Sequence, residues 1–249
     1  MIRIQALNKS FEEHHVLKDI DAEFRPGRTN LIIGRSGSGK TVLLKSIAGL
    51  IDVDEGEIWY DKQKFSHIDI PSKQEIRKEM GVLFQGAALF DSLTVEDNVL
   101  FPLDFFSSQS RNEKLDRANF CLERVRVSGT NKLYPAELSG GMKKRVAIAR
   151  AIALNPRYLL CDEPNSGLDP ETGIVIDNLI RELTEEFQMT TIVNSHDMNS
   201  VLEIGDKVIF IYQGCKCWEG SRKEILQTDN EALNNFVFAT NMAKQIKQS

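Results

Sequence analysis

Gly34-Arg35-Ser36-Gly37-Ser38-Gly39-Lys40-Thr41 follows the pattern G-x-x-x-x-G-K-[ST], in which a glycine-rich backbone cradles a polyphosphate. The glycines let successive N–H groups turn inward around an anion. Lys40 is placed to reach β- and γ-phosphates, and the Thr41 hydroxyl to sit on Mg²⁺. With glycine at about 7% of residues, the bare pattern arises by chance in roughly 1% of chains this long, so the flanks decide. Asn30-Leu31-Ile32-Ile33 is a short apolar run suited to a buried strand, and residues 41–48 have the apolar spacing of a helix packed on a sheet. Strand, loop and helix are the context the pattern requires, and the helix N-terminus adds positive partial charge for phosphate. The expected ligand is ATP with Mg²⁺, held by Gly34 through Thr41 and by Val42 in the first helical turn.

Outward from this loop, strands are expected at 2–7, 21–24 and 29–33, with a turn at Pro26-Gly27. Residues 56–65 read as an edge strand with a polar tip, and 81–84 as a short buried strand ending before Gln85. From about 86 to 155 the pattern is helical, with helices at 95–103, 112–125 and 140–154. Apolar strands return at 157–161, 190–194 and 207–212, with a helix near 171–187. Alternating strands and helices predict an α/β fold with a mostly parallel sheet, and the block at 86–155 is a helical subdomain. The tail, about 230–249, carries Leu233, Phe236, Val237, Phe238 and Met242 at the spacing of a short amphipathic helix.

Composition narrows the class. The 249 residues are 41% hydrophobic and 27% charged, with net charge −5. That is globular composition without a basic nucleic-acid surface. One domain spanning 1–249 is expected, because no linker interrupts it. Cys121, Cys161, Cys215 and Cys217 have no zinc spacing and read as reduced thiols. Met1-Ile2-Arg3-Ile4-Gln5 alternates like a strand and reads as no signal peptide. No apolar run approaches the ~18 residues of a membrane span, so any service to a membrane is expected to go through a partner.

A second constellation lies at 157–163, an apolar strand ending in Asp162-Glu163. An acid at such a strand end holds Mg²⁺ in phosphate-loop enzymes, a role that suits Asp162 acting through water. Glu163, one residue on, is expected to face another way by strand alternation and to polarise the water attacking the γ-phosphate. Leu138-Ser139-Gly140-Gly141-Met142 precedes a helix, with Ser139 as N-cap. Ser139, Gly140 and Gly141 leave N–H groups bare, an anion site expected to receive the phosphate of a second subunit.

With these motifs in order, the chain resembles the nucleotide-binding subunit of ABC (ATP-binding cassette) transporters along nearly its whole length. The resemblance implies a phosphate-loop ATPase of the ABC type, in which an antiparallel β subdomain and a helical subdomain flank the mostly parallel sheet. Leu138–Met142 is similar to the ABC signature, with Met142 where Gln is usual. Gln85 matches the glutamine that touches metal and water and links to the membrane partner. Asp169, in Ser166-Gly167-Leu168-Asp169, matches the acid of the loop crossing the dimer interface. His196 matches the switch histidine at the γ-phosphate, and Phe11 the aromatic stacked on adenine. The implied catalytic residues are Glu163, His196 and Gln85, and the implied metal site is Thr41, Gln85 and Asp162.

Phe84–Val95, Met142 with its following basic residues, and Asp97-Asn98-Val99 with Phe101-Pro102-Leu103 resemble the MCE-linked phospholipid transporters of the Mla type. The resemblance implies a homodimer at the cytoplasmic face of the inner membrane, a membrane permease, an MCE-domain lipid-binding partner and no nucleic acid. Amino-acid import, lipoprotein release and a soluble non-transport ABC role are the alternatives. Leu89, Phe90, Asp91 and Leu93 are too apolar for a free loop and are expected to line a groove for a helix of the membrane subunit.

Overall fold

The computed structural model describes residues 1–237. Along the chain run β1 (Ile2–Phe11), β2 (His14–Phe24), β3 (Arg28–Ile33), α1 (Lys40–Ile47), β4 (Glu55–Tyr60), β5 (Gln63–Lys64), α2 (Ile70–Arg77), β6 (Met80–Leu83), α3 (Val95–Phe106), α4 (Arg111–Arg124) and α5 (Gly140–Ile152). There follow β7 (Tyr158–Asp162), α6 (Pro170–Glu186), β8 (Thr190–Ser195), α7 (Met198–Ile204), β9 (Lys207–Tyr212), β10 (Cys215–Gly220) and α8 (Glu231–Val237).

The central sheet has the strand order β10-β9-β3-β8-β7-β6. All its pairings are parallel except β10 with β9. Its parallel strands carry apolar centres because both faces are covered, with buried polar residues such as Thr29, Asn30, Thr190 and Thr191 toward their starts. Leu31, Leu159, Val193 and Phe210 enter the core shared with the helices α3, α4 and α5, whereas Ile32, Leu160, Ile192 and Ile209 enter the core shared with α1 and the second sheet. Alternate side chains of one strand thus serve two cores. The second sheet, of order β2-β1-β4-β5, is antiparallel.

Several elements extend or depart from the sequence reading. The two short strands expected at 2–7 and 21–24 are one long hairpin. Its distal half escaped notice because between Asn8 and Asp19 only Leu17 is fully buried. The edge strand expected at 56–65 breaks at Asp61, whose φ is 53°, and returns as β5. Helices α2 and α7 and strand β10 were not anticipated. Helix α2 starts on the Asp69 cap with Pro71 in its first turn, a signal present in the sequence. The helical block has the expected three helices, each N-capped by a hydroxyl: Thr94, Ser110 and Ser139. In the tail, Leu233 and Val237 are buried and the Phe236 ring lies 5.5 Å from Phe210. Phe238 and Met242 lie outside the described residues. The cysteines are free, and burial pushes the Cys121 thiol up to about 11.

Candidate nucleotide-binding and catalytic site

Parallel register assembles the site. Ile33 at the end of β3 pairs with Ser195 at the end of β8. Asn194 pairs with Asp162 at the end of β7, and Cys161 with Leu83 at the end of β6. The loops leaving these ends therefore emerge side by side. They carry Gly34–Thr41, His196, Glu163 and Gln85.

The phosphate loop needs its glycines. Gly37 and Gly39 have φ of 79° and 105°, and a Cβ on Gly39 would sit 2.9 Å from the Leu17 side chain and 3.1 Å from the Val16 carbonyl. A Cβ on Gly34 would run into the Ile211 carbonyl. Lys40 is 5% exposed, and its Nζ donates to the carbonyls of Gly34 and Arg35 at 2.9 and 3.1 Å. Burial pushes this ammonium below its ordinary value, against the pull of Glu163 and Asp162. Ser38 is buried and its Oγ finds no partner among the described residues. A buried cation beside an orphan hydroxyl, in a loop too tight for side chains, suits a polyphosphate. Arg35, Ser36 and Gly37 are exposed, while the Val42 side chain turns into the core and leaves only backbone for a ligand. Phe11, 44% exposed, stands at the tip of the hairpin whose β2 leans on Gly39, with Lys9 Nζ 5.3 Å from its ring centroid.

Thr41 Oγ1 donates to Asp162 Oδ1 at 3.2 Å, and Asn194 Nδ2 holds the same oxygen at 3.0 Å. One hydroxyl and one carboxylate are hard oxygen donors of the kind that hold Mg²⁺ when substrate phosphates complete its shell. Glu163 lies just past β7 and has φ 46°. Its direction comes from this left-handed backbone, not from the strand alternation expected in the sequence. Glu163 Oε1 is 3.0 Å from His196 Nδ1, and Oε2 accepts from Gln85 Nε2 at 3.0 Å. Gln85 Nε2 is also 3.3 Å from Ser166 Oγ. Gln85 and His196 therefore both touch Glu163, and the Gln85 amide nitrogen faces Glu163 rather than the Thr41–Asp162 pair.

Behind Glu163, Asn165 Nδ2 donates to Ser200 Oγ at 2.8 Å and to Asp177 Oδ2 at 3.3 Å. Asp177 is 2% exposed, and burial pushes its carboxyl up to about 6, with Asp197 and Glu203 adding repulsion. This network ties the Glu163 segment to α6 and to α7, the helix that follows His196.

Ser139 Oγ accepts from Met142 N at 3.3 Å and caps α5. A Cβ on Gly141 would lie 2.7 Å from Thr172 Cγ2, so this helix start is packed against the start of α6. Asp169 caps α6 through Thr172 N at 2.9 Å. The signature segment and Asp169 are thereby neighbours within one protomer, with Ser139, Gly140 and Asp169 exposed.

After Gln85 the loop is pinned from the helical side. Asn98, fully buried, accepts from Phe90 N at 2.9 Å and donates to the carbonyls of Phe90, Leu93 and Thr94. Arg150 donates to the carbonyls of Ala87 and Ala88, and Lys144 to that of Gln85. Leu89 packs against the helical core and Leu93 is half-buried, whereas Asp91 is exposed. Phe90 is 42% exposed and lies 4.6 Å from the Phe101 ring, which in turn is 4.8 Å from Phe105, 68% exposed. Asn98, Lys144, Arg150, Asn194 and Ser166 had no assigned role from sequence. For Asn194 the sequence carries the signal: an amide directly after Ile192-Val193 in a buried strand must find partners.

The family model described as ABC transporter matches residues 17–166. The intermembrane phospholipid transport system ATP-binding protein MlaF of Haemophilus influenzae is 36% identical over 237 residues, covering 95% of this chain and 90% of MlaF. The methionine import ATP-binding protein MetN of Clostridioides difficile is 37% identical over 95% of this chain and 74% of MetN. The probable ribonucleotide transport ATP-binding protein mkl of Mycobacterium leprae is 33% identical over 95% of this chain and 68% of mkl. Among solved structures, the dimeric bacterial ABC transporter cassette MJ0796 superposes with a TM-score of 0.82 at 33% identity, covering 89% of this chain and 99% of that one. The same cassette bound to ADP and Pi after hydrolysis gives 0.81. Motifs, fold and relatives coincide: this chain belongs to the ABC transporter family and is an ATP-hydrolysing transporter subunit.

Proposed function

We propose that this ATPase powers a phospholipid transporter of the MCE-linked type, as a homodimer bound to a membrane permease at the cytoplasmic face of the inner membrane. An MCE-domain lipid-binding protein completes the assembly. The cargo reading is carried by the stretch from Phe84 to Val95 together with Met142 in the signature, and the likeness to MlaF supports it. Among the described residues no helix is long and apolar enough to cross a membrane, in keeping with action through a permease.

In this reading two ATP molecules lie between Gly34–Thr41 of one subunit and Ser139–Gly141 of the other, under two-fold symmetry. Lys40 leaves the Gly34 and Arg35 carbonyls for the phosphates, and Phe11 stacks on adenine. Thr41, Asp162 and a reoriented Gln85 would hold Mg²⁺, which would supply neutralisation of the phosphate charge. His196 and Gln85 turn from Glu163 to the γ-phosphate side, which frees the Glu163 carboxylate to take a proton from the attacking water. Leu89, Phe90, Asp91 and Leu93 receive a helix of the permease, with Phe101 and Phe105 extending the aromatic surface.

The affinity-tagged chain, purified from detergent-solubilised membranes with its partners, tests the cargo. Phospholipid bound to the complex, and ATPase activity stimulated by phospholipid but not by L-methionine, is the expected result. Stimulation by L-methionine alone would replace this reading with the import function that MetN's 37% identity supports.

A further inference from the structure

Lys144 is an unusual lysine. It is 5% exposed on α5, one helical turn after Gly140, and its ammonium donates to the backbone carbonyl of Gln85. Buried lysines are uncommon unless paired, and this one has no ion pair with a carboxylate among the described residues. Burial pushes it below its ordinary value, while Cys161 and Asp162 on β7 and Glu163 just past it pull it up. Two turns further along the same helix, Arg150 Nη1 and Nη2 hold the carbonyls of Ala88 and Ala87 at 2.8 and 3.0 Å. One helix therefore grips three carbonyls of the segment that begins at Gln85. At the other end of the Gln85 residue, Nε2 lies 3.0 Å from Glu163 Oε2.

We propose that Lys144 is a positioning residue for hydrolysis, coupling the placement of α5 to the reach of the Gln85 amide toward the catalytic carboxylate. The ammonium fixes the Gln85 backbone, and the side chain projects from that fixed point to Glu163. The inference rests on the proposed roles of Gln85 and of the head-to-tail dimer. In that dimer, the N-terminus of α5 serves the partner's nucleotide while Gln85 serves its own. Lys144 would then carry the position of one site's signature segment into the chemistry of the other. A neutral side chain one atom shorter, such as Met, keeps most of the packing but leaves the carbonyl free to drift, and a misplacement of about 1 Å can cost on the order of a hundredfold in rate.

The test is a double-mutant cycle on the full-length ATPase, using Lys144→Met, Gln85→Ala and both together. Thermal melting and fluorescent-nucleotide titration are run on each variant. Lys144→Met is expected to lower kcat about tenfold to a hundredfold, with half-saturation by ATP within about twofold, and Lys144→Arg to restore most of the rate. In the Gln85→Ala background the same Lys144→Met change should alter kcat by less than about twofold, because the side chain it positions is gone. If the two losses multiply, or if Lys144→Met folds and turns over normally, the inference fails while the role of Gln85 stands. If Gln85→Ala alone leaves kcat unchanged, the Gln85 assignment fails and takes the inference with it. Should Lys144→Met melt before assay temperature, Lys144→Gln, which retains a shorter donor, carries the same cycle with the same two outcomes.

Discussion

His196 Nδ1 and Gln85 Nε2 bracket the Glu163 carboxylate, one on each oxygen and each at 3.0 Å. A carboxylate offers about four acceptor positions, so one contact on each oxygen leaves room for a further donor such as water. In the proposed cycle both side chains turn from Glu163 to the γ-phosphate side.

Glu163→Gln is expected to abolish steady ATP turnover, by about 10²–10⁴, and to leave nucleotide binding intact. The amide keeps the shape of the carboxylate and loses its basicity. The variant should accumulate as an ATP-bound dimer on size exclusion with Mg-ATP. Turnover near the parent rate would remove Glu163 from the role of base.

Lys40→Ala should weaken nucleotide binding itself. Among the described residues its ammonium donates to the Gly34 and Arg35 carbonyls, leaving a third donor for phosphate. Equilibrium titration with a fluorescent ATP analogue reads the effect, and an unchanged Kd would contradict the placement of Lys40 at the phosphates.

For Phe90→Ala the expectation separates docking from packing. A fully buried Phe costs roughly 3–5 kcal/mol on truncation, but Phe90 is 42% exposed and rests on Phe101 under Arg150. The isolated subunit should therefore melt close to the parent and bind ATP normally, while co-purification with the permease falls. A large drop in Tm would make Phe90 a core residue instead.

Asp177 carries a pH dependence of definite sign. Its carboxyl rises from 3.8 to about 6 on folding, chiefly through burial. The folded protein thus binds this proton more tightly than the unfolded chain does. The associated stability is complete below about 3.8 and is lost as pH rises through about 6. Asp177→Asn imitates the protonated form and should melt several degrees above the parent near pH 7, reflecting on the order of 3 kcal/mol. That gap should close as pH falls toward 4, and a gap constant with pH would show that the Asp177 proton is not its cause.

Much of this was visible in the sequence because the relevant residues carry their own constraints. A strand covered on both faces carries an apolar run, so residues 31–33, 192–193 and 208–211 mark the strands at 29–33, 190–194 and 207–212 without a partner in view. The phosphate loop announces itself through glycine, and Asp162 through its position at a strand end. The hairpin between Asn8 and Ile20 was not legible, since its polar, half-exposed residues lack clean alternation. Nor was the direction of Glu163, which depends on one positive φ. The role of Lys144 left no trace, because its acceptor is a backbone carbonyl 59 residues away, and a carbonyl has no letter in a sequence.

The alignment of Ile33, Ser195, Asn194, Asp162 and Leu83 across the sheet has a consequence for how such subunits diversify. The phosphate loop, Asp162, Glu163, His196 and Gln85 all hang from one row of strand ends, while the exposed aromatics from Phe90 to Phe105 lie on the helical side. In the proposed assembly, motor and docking surface are separate parts on separate layers. On that reading a lineage can rework the docking surface to fit a new permease without touching the motor. Relatives named for phospholipid, methionine and ribonucleotide can then stand at nearly equal distance from one chain. Grafting the 89–106 surface between two such ATPases should re-address the motor to a different permease while its turnover chemistry stays the same.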